Sequence, residues 1–264
     1  MILTIDIGNT TTSFGVFEKG RFKVYFSMAT QPWRSPEEIT RQLKTLTKTQ
    51  RLDLAATEQI LVCSVVPRMS SVLVKALRSL HAVHIREVGQ DLHVPLKNRY
   101  TYPEQVGQDR LVGAYAAWRT YQRDCIVADF GTAITIDVVT KAGEYLGGII
   151  APGLEISLEA LAMRTALLPK VALREPPELL GRDTANSIRS GILYGCAALC
   201  DGLITQLKRR YAPKAVVLAT GGASSLMIAH TTTIDHHKPF LVLEGLAHLA
   251  DAKVKRPTTR RILK

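Results

Sequence analysis

Two apolar runs in this chain end on the same short pattern, an aspartate, one apolar residue and a glycine: Asp6-Ile7-Gly8 in IDIGNTTT and Asp129-Phe130-Gly131 in VADFGTAIT. Each aspartate is followed 14 residues later by a glycine suited to a turn, Gly20 and Gly143. Apolar patterning around them predicts three strands in each half. These are Ile2 to Ile7, Thr12 to Phe17 and Arg21 to Ser27, and then Cys125 to Phe130, Ala133 to Thr140 and Tyr145 to Ile150. The intervening turns are too short for crossovers, so successive strands are antiparallel neighbours. A pattern repeated in register over the whole strand triplet predicts an internal duplication and a chain built of two α/β units.

The remaining elements fit that plan. Ser35-Pro36-Glu37-Glu38 has a serine at a helix N-cap, proline at the first helical position and glutamate three residues after the cap, which predicts a helix through about Lys48. A strand at Gln59 to Val66, a helix at about Ser70 to Leu80 and a strand at Val83 to Val88 complete the first half as β-β-β-α-β-α-β. An amphipathic helix ends near Tyr121. The second half continues with a long helix from Thr184 to Tyr211, a strand at Ala215 to Ala219, the turn Thr220-Gly221-Gly222 and a last helix near Leu243 to Ala252. The boundary falls near Arg123, giving domains 1–122 and 123–264.

Bulk properties narrow the class. No run of 18 apolar residues occurs, and MILTIDIGNT has no basic leader, so neither a membrane span nor an export signal is expected. Cys63, Cys125, Cys196 and Cys200 lack CxxC spacing and are expected to be reduced thiols in a cytoplasmic protein. The net charge of +11 suits nucleic acid, an anionic membrane surface or an enzyme with anionic substrates. Lys253, Lys255, Arg256, Arg260, Arg261 and Lys264 carry more than half of that excess in a C-terminal stretch without an acid.

The two repeated turns carry the chemistry. In each, a glycine lets the strand end turn so tightly that successive backbone N–H groups are free to receive phosphate oxygens. In the first, the run Asp6, Ile7, Gly8, Asn9, Thr10, Thr11, Thr12 and Ser13 adds hydroxyl donors and one carboxylate. Mg²⁺ keeps several waters and is held by one or two carboxylates plus nucleotide phosphates, which makes Asp6 the candidate to hold it through water. Alone, this run reads equally well as a hairpin turn with solvated threonines. The second copy favours two turns that grip a polyphosphate between two domains. There is no Gly-Lys dipeptide and hence no Walker A loop, and the first glycine turn leads to a strand, which excludes the Rossmann fingerprint. In Ala219-Thr220-Gly221-Gly222 the glycines allow close approach of a ribose or adenine, although such glycines also simply turn chains.

DIGNT, PEQVGQDR, DFGTA, GGIIAPG and ATGG, in this order from Asp6 to Gly222, resemble the type III pantothenate kinases. That family belongs to the superfamily of acetate and sugar kinases, Hsp70 chaperones and actin. The resemblance therefore implies two ribonuclease-H-like, actin-like domains closing on ATP, and transfer of its γ-phosphate to the hydroxyl of pantothenate. It implies that Asp109 is the general base and that Tyr100, Gly107, Gln108, Asp109, Arg110 and Thr184 bind pantothenate. It further implies that Asp129 holds a monovalent cation, potassium or ammonium, that Thr132 contacts the nucleotide, and that the enzyme is a homodimer. Read without the resemblance, Asp109 is also a helix N-terminal carboxylate and Thr184 a helix cap beside Asp183.

The long helix carries Gly191 and Gly195 four residues apart, a face for an intramolecular neighbour or for a second copy. His230, His236 and His237 lack metal-ligand spacing and are expected to be solvated loop residues. Two other functions compete: a different small-molecule kinase of the same superfamily, and a non-catalytic accessory protein that binds nucleic acid through its basic tail. The three aspartates Asp6, Asp109 and Asp129 favour catalysis, because a binding protein has no need of them.

Overall fold

The computed structural model describes residues 1–53, 56–80 and 84–251; the basic C-terminal stretch singled out above lies outside the described residues. The first sheet is formed by β1 (Ile2–Ile7), β2 (Thr11–Glu18), β3 (Arg21–Ala29), β4 (Gln59–Ser64) and β5 (His84–Glu87), in the order β3-β2-β1-β4-β5. The second holds β6 (Lys97–Asn98), β7 (Cys125–Phe130), β8 (Ala133–Val139), β9 (Glu144–Pro152), β10 (Val216–Thr220) and β11 (His236–His237), in the order β11-β10-β7-β8-β9-β6. Apart from the short edge strand β6, the two orders are the same. In both, the first three strands are antiparallel and the last two add in parallel. Gly20 and Gly143, matched by spacing in the sequence, both have φ +73°. The duplication expected from the strand triplets thus extends to the whole topology.

Among the described residues the α-helices are α1 (Pro36–Thr49), α2 (Pro67–Leu80), α3 (Gln108–Tyr121), α4 (Leu154–Arg164), α5 (Thr184–Arg210), α6 (Ser224–Met227) and α7 (Leu241–Asp251). The start of α1 has the capping box read from sequence, with Glu38 N donating to Ser35 Oγ and Ser35 N donating to Glu38 Oε2. Helices α1 and α2 bury Ile39, Leu43, Met69 and Leu73 against one face of the first sheet. Helix α5 buries Leu193, Ala197, Cys200 and Ile204 against the outer face of the second. By length and composition α5 could cross a membrane, yet this row of side chains is committed to the core of the second sheet.

Between the two sheets lie α3 and α7. The inner faces contribute Leu61 and Cys63 from β4, and Cys125 and Val127 from β7, to clusters that take in Val112 and Ala114 of α3 and Leu241 and Leu246 of α7. Residues Leu111 to Ala117 of α3 are all buried, as a helix with neighbours on every side requires. These helices also cross the expected division. Helix α3 precedes Arg123 but packs on β7 and β8, and α7, the last helix of the second half, packs on β1 and β4. Each half thus lends one helix to the other, which ties the two sheets together where they face the cleft.

Candidate active site

The two aspartates of the repeated pattern occupy equivalent places. Asp6 is the penultimate residue of β1, paired with Ser13, and Asp129 the penultimate residue of β7, paired with Thr135; both strands are the third in their five-strand order. The turns that follow meet, with Thr10 Oγ1 and Thr132 Oγ1 3.0 Å apart. The first turn is braced from β3's end: Thr30 Oγ1 donates to Gly8 O at 2.8 Å and Thr30 N donates to Thr10 O at 2.9 Å. Thr30 is buried, and Thr12 Oγ1 lies 3.0 Å from its hydroxyl.

A cleft of about 960 Å³ opens between these turns. Of the residues expected in the first phosphate turn, Asp6, Gly8, Asn9, Thr10, Thr11 and Ser13 line it. Ile7 and Thr12 do not: both are fully buried, since in a strand every second side chain faces away, and the Thr12 hydroxyl is turned toward Thr30. From the second sheet, Asp129, Thr132, Gly221 and Gly222 reach the cleft. Gly221 has φ +91°, and a Cβ there would collide with Asp129 Oδ1 and stand 2.7 Å from the carbonyl carbon of Phe130. The ATGG turn is therefore glycine because it closes directly over the second phosphate turn, where Ala223 N also donates to Phe130 O at 3.0 Å.

Helix α3 delivers the third carboxylate. Gly107 caps it, and Asp109, in its first turn, accepts from the backbone N–H of Arg110 at 2.8 Å. Asp109 and Arg110 both line the cleft. Three carboxylates, Asp6, Asp109 and Asp129, are thus gathered within electrostatic range of one another. Burial, followed by repulsion from Asp109 and Asp129, pushes the proton affinity of Asp6 well above the ordinary carboxylate range. Burial raises Asp109 as well. Asp129 is pushed up to about 7 by burial, then by the charges of Asp109 and Asp137. A pocket that raises all three is one that a cation would stabilise.

Tyr100, Gly107, Gln108 and Thr184 are not among the cleft-lining residues. Tyr100 packs its ring over Gly147, and the Gln108 side chain packs against Gly89. Thr184 is the exposed first residue of α5, whose cap is Asp183, accepting from Asn186 N at 2.8 Å. The histidines are not simply solvated loop residues. His236 stacks on Tyr121 at 5.0 Å, His237 Nε2 lies 2.9 Å from Ser224 Oγ, and the His230 ring meets Tyr194 edge-on. Neighbours from other elements, two aromatic rings and a serine hydroxyl, are invisible as spacing and explain this. Sequence reasoning also passed over Asp137, fully buried in the strand ITIDVV and ion-paired with Arg110. An acid inside an apolar strand was the available signal.

A family model described as type III pantothenate kinase matches residues 2–206. A type III pantothenate kinase of Desulfotalea psychrophila is 38% identical over 97% of this chain and 100% of its own length. That of Rubrobacter xylanophilus is 40% identical, over 93% of this chain and 96% of its own. Among solved structures, ethanolamine utilization protein EutJ from Carboxydothermus hydrogenoformans superposes with a TM-score of 0.54 at 15% identity, covering 93% of this chain and 88% of that one. Component A of (R)-2-hydroxyglutaryl-CoA dehydratase from Acidaminococcus fermentans gives 0.54 at 13% identity, covering 94% and 95%. At these identities the structures speak for the shared two-unit fold alone.

Proposed function

Because this chain belongs to the type III pantothenate kinase family, and so carries out the ATP-dependent phosphorylation of pantothenate that begins coenzyme A biosynthesis, we propose the following division of labour among its residues. The turns Gly8 to Thr11 and Gly131 to Thr132 hold the polyphosphate from opposite sides, with threonine hydroxyls and backbone N–H groups as donors, Gly8 excepted, since its N–H donates to Thr11 O at 3.0 Å and closes the turn. The observation that carries this is the 3.0 Å approach of Thr10 Oγ1 to Thr132 Oγ1, which leaves the two turns facing one space. Gly221 and Gly222 let the nucleoside lie close to the backbone beside them. Asp109 accepts the proton of the primary hydroxyl as its oxygen attacks the γ-phosphorus, and the burial that raises its proton affinity makes it a stronger base than a solvated carboxylate. Of the residues expected to bind pantothenate, Arg110, which lines the cleft beside Asp109, does so.

The carboxylates suit cations. Asp6 would hold Mg²⁺ through water, and Asp129 a potassium or ammonium ion. Among the described residues no group of three His, Cys, Asp or Glu side chains is placed to hold a metal alone, so water and phosphate oxygens would complete the shell. Bound there, the cations would neutralise charge on the phosphates and leave the carboxylates ionised. A homodimer would use the exposed face of α5, where Gly191 and Gly195 have nothing within 4 Å of a notional Cβ and Leu199 is exposed. A cytoplasmic enzyme goes with substrates of this kind. ADP release measured with pantothenate, acetate and several sugars, in potassium, ammonium and sodium salts, tests the reading. Release should depend on pantothenate and be faster in potassium or ammonium. Equal release with acetate or a sugar would refute the substrate assignment, and equal rates in all three salts the role of Asp129.

A further inference from the structure

Asp137 lies in the middle of β8 with its carboxylate removed from water. Such a group is tolerated only when its charge and lone pairs are satisfied. Its Oδ1 accepts from Arg110 Nη2 and Nε and, at 2.7 Å, from Tyr145 Oη; its Oδ2 accepts from Arg110 Nε at 3.2 Å and Thr135 Oγ1 at 3.3 Å. Room for the pair is made by Gly148 on β9, where a Cβ would collide with Asp137 Oδ1 and stand 2.8 Å from Arg110 Nη2. Three elements thus cooperate on one buried ion pair at the wall of the cleft. Packing alone does not call for this, since apolar residues fill such a space at least as well. The pair occupies Nε and Nη2 and leaves Nη1 of a cleft-lining arginine for another acceptor. Without Asp137, the same guanidinium would stand beside the carboxylate of Asp109, whose charge it already feels.

We propose that Asp137 is a positioning residue for the phosphotransfer, which fixes Arg110 with its free edge toward pantothenate and keeps it from pairing with Asp109. This rests on the reading of Arg110 as a pantothenate ligand. The test is a double-mutant cycle on the full chain, with Asp137→Asn, Arg110→Ala and the double variant, each checked for native circular dichroism and assayed for kcat and both KM values. Asp137→Asn should raise the KM for pantothenate about 10- to 100-fold while changing the KM for ATP less than about 3-fold, and should have no further effect when Arg110 is already alanine. Tyr145→Phe, which removes the hydroxyl that donates to Asp137 Oδ1 and keeps both charges, should give the same pattern in weaker form and serves if Asp137→Asn does not fold. An Asp137→Asn effect of equal size with and without Arg110, or one that falls equally on ATP and pantothenate, overturns the proposal. An Arg110→Ala variant with unchanged pantothenate KM overturns the reading of Arg110 on which it stands.

Discussion

Asparagine at position 129 would keep the size and shape of the aspartate while removing a charge that the folded protein holds at a disadvantage. The carboxyl, ordinarily near 3.8, is pushed up to about 7 in the cleft. Below pH 3.8 folded and unfolded chains both carry the proton and the group costs nothing. From there to pH 7 the unfolded chain has released a proton that the folded protein retains, so stability falls by up to about 1.4 kcal/mol per pH unit. Above pH 7 the carboxylate is charged in both states and the loss is complete. The full shift corresponds to roughly 4 kcal/mol. Asp129 is only half-buried, and cleft water screens part of its charge, so about 2–3 kcal/mol is the expectation. For a chain of this size that is about 5–10 °C in Tm. Thermal unfolding of wild type and Asp129→Asn should be followed from pH 4 to 8, without nucleotide, in a buffer whose cation is tetramethylammonium. The variant should match wild type near pH 4 and gain steadily to pH 7, with a constant advantage beyond. Potassium should then raise the wild type and leave the variant unchanged. A difference that does not change with pH, or a variant less stable throughout, would refute the electrostatic reasoning.

Two further variants probe the nucleotide side of the cleft. Gly221→Ala places a methyl group against Asp129 and Phe130 at a φ of +91°, and should raise the KM for ATP about tenfold or more while leaving that for pantothenate nearly unchanged; equal effects on both KM values would show a general distortion. Thr10→Val removes the hydroxyl contact between the two turns, worth about 0.5–1.5 kcal/mol, and steady-state assays should show a 2- to 10-fold rise in the KM for ATP, with no change meaning that the turns do not act together.

Local signals were strong enough to read most of the strands and the start of α1 from the sequence. β7 runs from Cys125 to Phe130 as its apolar pattern predicts, and Ser35 and Glu38 form the box that their spacing requires. Both depend on neighbours a few residues apart. Helix α4 was not anticipated, because Leu154–Arg164 follows directly on the strand residues of β9 with only Gly153 as its cap. Likewise α2 begins at Pro67, three residues before the expected Ser70, with proline at the first helical position. The exchange of α3 and α7 between the sheets is a tertiary choice: each helix is apolar on more than one side, and periodicity does not say which sheet will cover it. At the site, the aspartates Asp6 and Asp129 were legible as a repeat. Thr30, which braces the first turn from just beyond β3, and Asp137, which holds Arg110 from within β8, lie outside the repeated turn motifs. The inward turn of Thr12 follows from strand alternation and could have been read from Asp6 being outward.

Central to this account is Asp109 as the base that takes the proton of the attacking hydroxyl. Rapid-quench measurement of phosphate transfer from γ-labelled ATP to pantothenate in a single turnover, by wild type and Asp109→Asn, isolates that step from substrate binding and product release. The account predicts a transfer rate lower by about 10²–10⁴-fold in the variant, with ATP bound as tightly as before. Transfer at a near wild-type rate would contradict it.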